Sequence, residues 1–109
     1  MAYDEILLER IRDVVAGEDG VSEIRMFGGV CVAINGNMAC GVQQADLVVR
    51  VGPDGYDAAL KDKHARPMDF TGRPLKGLVY VAPDGFKDKR SLKKWVGRGV
   101  RFAASLPKK

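Results

Sequence analysis

Asn35-Gly36 sits between two short apolar runs, residues 30–34 and 37–42, and no other dipeptide constrains this chain as strongly. A two-residue type I′ turn needs positive φ at both central positions, and Asn and Gly accept that best. The stretch "GGVCVAINGNMACGV" is therefore expected to be an antiparallel hairpin. Residues 47–51, dense in valine, follow closely enough to be the next strand of one meander. Residues 23–27 precede it, and Gly28-Gly29 interrupts the pattern between them. Tight turns point to an antiparallel sheet, because parallel neighbours need long crossovers.

Helical spacing brackets the meander. Leu7, Leu8, Ile11, Val14 and Val15 recur at helical intervals within residues 4–16, and Gly17 and Gly20 flank the end. Pro53 can open a short helix, where its missing N–H is no loss, with Tyr56, Ala59 and Leu60 turned inward. Pro67 ends any helix before it. "MDF", the "TGRP" turn and "LKGLVYV" read as a further hairpin, with residues 75–81 its firm part. Asp88 is expected to cap a final helix reaching Ser105, before Pro107. The order helix, strand meander, helix, hairpin, helix predicts an α+β, two-layer domain. Its sheet is mainly antiparallel, with helices packed on one face. The other face must be polar or meet a partner, and the valine-rich strands suggest a homodimer.

A length of 109 residues suits one domain, residues 1–109, and a charged fraction of 29% beside 46% hydrophobic fits a soluble globular protein. No apolar run approaches the ~20 residues of a membrane span. The acidic start "MAYDEILLERIRD" lacks the basic and apolar regions of a signal peptide. A cytoplasmic protein without membrane contact is expected, and its thiols stay reduced.

Cys31 and Cys40 are the only cysteines. Counting outward from the turn, Ile34 opposes Asn37, Ala33 opposes Met38, Val32 opposes Ala39 and Cys31 opposes Cys40. Cys31, Ala33, Met38 and Cys40 then share a face. The two cysteines form a non-hydrogen-bonded pair with Cα atoms ~4.5 Å apart, at the short edge of disulfide geometry. Two readings stay open. They are small apolar filler of the sheet–helix layer, which the compartment favours, or a strained and easily reduced redox pair. A zinc site usually wants four ligands, and the chain adds only His64, read as a solvated loop residue. No metal or cofactor is expected. A Cys–His nucleophile pair needs a third orienting group, which nothing in the spacing supplies. The chain is read as non-enzymatic.

"RMFGGV" reads as a bulge or tight strand turn, with close approach to a ligand as the alternative. It matches no phosphate-loop or dinucleotide motif. Arg25, Arg50, Arg66, Arg73 and Lys76 lie on or beside strands rather than in the charged helices. They are candidate ligand-binding residues for an anion, because a guanidinium fork matches carboxylate and phosphate. Surface ion pairs are the plainer alternative. Arg50 interrupts "LVVRV", so it must project opposite Leu47, Val49 and Val51, to solvent or toward a carboxylate such as Asp46 or Asp69.

The net charge of +4 is unevenly spread, and the last helix carries much of it. At ~3.6 residues per turn, Leu92, Trp95, Val96, Gly99, Phe102, Ala103 and Leu106 gather on one side. Lys89, Arg90, Lys93, Lys94, Arg98 and Arg101 gather on the other. Cations in the first turn oppose the helix dipole, so helix stability does not account for Lys89 and Arg90. The stripe is a candidate nucleic-acid-binding face, with a solvated face as the common alternative. No aromatic residues interleave, so base stacking is unsupported.

Four stretches, "RMFGGVCVAINGNMACGV", "DLVVRVGPDGYDAAL", "ARPMDFTGRPLKGLVYV" and "LKKWVGRGVRFAASLP", together resemble the N-terminal domain of the TfoX (Sxy) family over essentially the whole chain. Met26, Phe27, Gly28 and Gly29 match its signature. The resemblance implies a secretion-chaperone-like two-layer domain in a bacterial cytoplasm. Full-length members regulate competence genes alongside other transcription factors and carry a further C-terminal domain. It brings no catalytic residues. A stand-alone, single-domain regulatory module with a protein partner is expected. Nucleic acid on the last helix, or an anionic small ligand at the strand arginines, are the alternatives.

Overall fold

Asn35 and Gly36 take φ values of 53° and 84°, the left-handed pair that a type I′ turn requires. They join β2 (Gly29–Ile34) to β3 (Asn37–Gln43). The computed structural model describes residues 3–26, 28–69 and 75–109. Around the hairpin lie β1 (Val21–Met26), β4 (Asp46–Arg50), β5 (Ala65–Pro67) and β6 (Leu78–Val81). The helices are α1 (Glu5–Val15), α2 (Pro53–Leu60) and α3 (Lys89–Ala104). The strands form one sheet in the order β1-β2-β3-β4-β6-β5, and every adjacent pair is antiparallel. The α+β, two-layer expectation holds.

Local chemistry explains the helix ends. The Asp4 carboxylate accepts from the N–H groups of Ile6 and Leu7 at 2.9 and 3.1 Å, capping α1. Pro53 stands in the first turn of α2. One face of α1 buries Leu7, Leu8, Ile11 and Val15, and α3 adds Leu92, Trp95 and Val96. Both press on Val30, Val32, Cys40, Val42, Leu47, Val49, Val79 and Val81 of the sheet. Among the described residues no helix is long and apolar enough to cross a membrane.

The β2–β3 register departs from the simple count. Ala33 pairs with Met38, but Val32 pairs with Cys40 and Cys31 with Gly41, so Ala39 is an extra residue on β3. A bulge of one residue moves every later side chain to the other face. Cys40 therefore points to the helices, while Cys31 follows Gly41 and points away. The face shared by Cys31 and Cys40 does not exist. The bulge lies where α3 crosses β3: a Cβ at Gly99 would run into the Ala39 carbonyl oxygen. Only glycine lets the helix approach this closely.

Two further elements differ from expectation. The second hairpin is β5 with β6, so its first strand falls earlier than "MDF", and β6 starts at Leu78 rather than Leu75. The Gly77 carbonyl accepts from Val51 and Gly52 at 2.8 and 3.2 Å, tying the entry of β6 to the end of β4. The 3₁₀ turn Pro83–Phe86 was not foreseen, and it seats Phe86 in the core.

The sheet face away from the helices is not polar. Val48, Met68 and Tyr80 form a satellite cluster there, with Met38, Leu75 and Leu78 packed against it.

Gly97 and Gly99 both lie within α3, but only Gly99 meets backbone; a Cβ at Gly97 has the flexible Arg101 end at 3.4 Å. Gly97→Ala should stabilise by up to ~1 kcal/mol through helix propensity. Gly99→Ala should destabilise by ~1–3 kcal/mol through overpacking. Urea denaturation of both variants checks the opposite signs.

Candidate functional site

The two edges of the sheet are built differently. β5 is three residues long and ends at Pro67. Its Arg66 donates to Asp46 at 2.7 Å and lies over the Tyr80 ring at 4.7 Å. A short strand with a proline and a charge is a protected edge. β1 is six residues long, contains no proline and is exposed along its whole length. Its pairing with β2 sets its two faces. Arg25 opposes Val30 and Glu23 opposes Val32, so both lie on the helix side. Ile24 opposes Cys31, and Met26 follows two residues later on the same open side. Ile24 is 44% exposed and Met26 39%.

The helix side of β1 is fastened by charge. Arg12 donates to both carboxylate oxygens of Glu23, at 2.7 and 2.8 Å, and also to Glu9. The Arg12 hydrogen bond holds the Glu23 carboxyl below its ordinary value near 4.5.

On the open side, Ile24 and Met26 face a groove of about 600 Å³ that extends to Met38, Leu75 and Leu78. Arg50, Lys76 and Lys109 stand along it. Arg50 projects away from Leu47 and Val49, as its place in "LVVRV" requires, and its guanidinium lies over the Phe102 ring at 5.2 Å. Asp46, one of its expected partners, is taken by Arg66.

The structure thus brings Arg50 and Lys76 together and separates them from the other candidates. Arg25 lies on the opposite face beside Arg12 and Glu23. Arg66 is paired at the far edge. Arg73 and Phe27 lie outside the described residues. Of the signature residues, Met26 lines the groove, while Gly28 and Gly29 serve the reversal between β1 and β2, where Gly28 has φ 76°. The contributions of Ile24, Met38 and Phe102 were missed from sequence. The exposed apolar residue two positions before Met26 was the available signal.

The basic stripe of α3 divides in two. Lys89, Arg90, Lys93 and Lys94 are exposed side by side. Arg98 is half-buried over the Trp95 ring at 4.6 Å, and with Arg101 it borders a cleft against α2. Asp88 stands at the N-cap position of α3, but without the side-chain capping hydrogen bond expected of it; interaction with Ser91 lowers its carboxyl pKa.

Cys31 and Cys40 are free and buried. Burial raises both thiols, and Cys40 is pushed up to about 12, with the neighbouring Cys31 adding to the effect. His64 is half-buried rather than solvated: its N–H donates to Asp62 at 2.8 Å and its carbonyl accepts from Ala82 at 2.9 Å. Among the described residues, no three His, Cys, Asp or Glu side chains converge as a metal site.

Fold and geometry define a two-layer α+β domain with one sheet face sealed by helices and the other bordered by an open edge. The family model of the TfoX N-terminal domain matches residues 13–103, and the chain belongs to that family. No curated protein and no solved structure matches the chain.

Two outcomes follow from the site. After mild oxidant acts on the native protein, denaturation should expose two titratable thiols, since the cysteines are buried on opposite sheet faces; an intramolecular disulfide formed before denaturation contradicts the register. Glu23 has a depressed folded pKa, so its stabilisation is present above its unfolded value and is lost as pH falls through the folded one. Glu23→Gln should lower the Tm at neutral pH, and the gap should close in acid. A gap that persists in acid would assign the loss to something other than charge.

Proposed function

We propose that this chain is a non-enzymatic regulatory module that works through protein contacts in transcription regulation and takes its partner at the open edge of the sheet. The observation that carries this reading is β1, a long edge strand without proline, exposed throughout and apolar on its open side. Such an edge presents unpaired backbone groups. A partner strand added there gains affinity from backbone hydrogen bonds and specificity from alternate side chains. Ile24 and Met26 supply those contacts. The regulatory setting is supported by membership of the TfoX N-terminal family, whose full-length members control competence genes. The same edge also accepts a second copy of this chain, which would appear as a dimer in sedimentation.

A tagged protein should capture a nuclease-resistant protein partner from its native host, or itself as a dimer. Ile24→Asp with Met26→Asp should weaken that capture at least about tenfold, the effect of ~1.4 kcal/mol. Absence of any partner and of a dimer, or capture unchanged in the variant, contradicts the reading.

A second reading rests on Lys89, Arg90, Lys93 and Lys94, which are exposed and take part in no ion pair among the described residues. Phosphate neutralisation by such a cluster gives steep salt dependence. Lys93→Glu with Lys94→Glu should abolish DNA retention at low ionic strength. Retention that survives both substitutions removes this reading.

A further inference from the structure

The groove on the open face pairs an apolar floor with cationic side chains that take part in no ion pair among the described residues. Ile24, Met26, Met38, Leu75 and Leu78 supply the apolar surface from three strands and the segment before β6. Its volume of about 600 Å³ lies within the ~300–1,000 Å³ typical of small-molecule sites, which join apolar lining to a few placed polar groups. Among the described lining residues the charged side chains are Arg50, Lys76 and Lys109, with no Asp or Glu.

Three other arginines have polar partners. Arg12 binds Glu9 and Glu23, and Arg66 binds Asp46. Arg10 donates to the carbonyls of Phe86 and Lys87. Among the described residues, Arg50, Lys76 and Lys109 take part in no ion pair. Arg50 is also oriented. Its guanidinium carbon lies over the Phe102 ring at 5.2 Å, a cation–π contact that leaves the N–H groups for an acceptor.

We infer that this groove binds a small organic anion with an apolar body, its anionic head on Arg50 and Lys76 and its hydrocarbon against Ile24, Met26 and Met38. Charge complementarity selects the head, and the exposed apolar side chains select the body. Unbranched methionines adapt to tails of different shape. Ile24 and Met26 serve the partner reading as well, but Arg50 and Lys76 serve only the anion, so substitutions at these two cations separate the tests.

The probes are octanoate, octylammonium and acetate, titrated below micelle formation into protein with isotope-labelled methionine methyls. Octanoate should move the Met26 and Met38 resonances saturably. Octylammonium should bind at least about tenfold more weakly, and acetate should leave both resonances in place. Arg50→Gln and Lys76→Gln should each weaken octanoate by at least about tenfold, as loss of a charge-assisted hydrogen bond does. Arg66→Gln, at the far edge, should bind octanoate like the parent, and dispersed spectra establish that each variant folds. Partner capture by Arg50→Gln should stay at the parent level, which separates this test from that of the edge. Equal binding of octylammonium, equal shifts from acetate, no shift with octanoate, or unchanged affinity in both groove variants would overturn the inference.

Discussion

The contact on which the arrangement depends is Gly99 of α3 against the carbonyl of Ala39. A helix carrying any side chain at this point would stand off from the sheet. Close approach lets Trp95, Val96 and Ala103 reach the strands, and all three are essentially excluded from solvent. It coincides with the one-residue bulge that turns Cys40 inward and Cys31 outward. Because α3 is seated by its apolar side, its cations are left on the surface. The two sheet faces then differ in kind: one is sealed by α1 and α3, and the other keeps only a satellite cluster and a groove.

Charge follows the same division. On the helix side of β1, Arg12 and Glu23 close a two-point ion pair that fastens the strand to α1. At the far edge, Arg66 is fixed by Asp46 and the Tyr80 ring. On the open side, Arg50 at the end of β4 meets an aromatic ring. The apolar side chains Ile24 and Met26 line the same groove rather than lying beneath a helix. The proposed partner strand would use the backbone of β1 and the proposed anion the cations across the groove, with Ile24 and Met26 common to both.

Much of the fold was legible because its signals are local. Asn35-Gly36 specifies its turn through φ alone, and the amphipathic spacing of α1 and α3 survives in the buried sets Leu7, Leu8, Ile11 and Leu92, Trp95, Val96. The direction of Arg50 followed from strand alternation. The bulge was not legible from local spacing; it lies where Gly99, sixty residues away along the chain, meets the Ala39 carbonyl, and the one extra residue on β3 reversed the relation of the cysteines. The groove was half legible. Arg50 and Lys76 stood out as cations in an apolar context, but their separation from Arg25 and Arg66 is set by register and by which acid is within reach. Neither can be counted from spacing. Phe86 was missed because a 3₁₀ turn leaves no periodicity to read.

The register of β2 against β3 tests this account most directly, since the seating of α3 and the division of the two faces both rest on it. Cross-strand nuclear Overhauser effects in solution should connect Ala33 with Met38, Val32 with Cys40 and Cys31 with Gly41. A pattern connecting Val32 with Ala39 and Cys31 with Cys40 would contradict it, placing both thiols on one face and removing the bulge beneath Gly99.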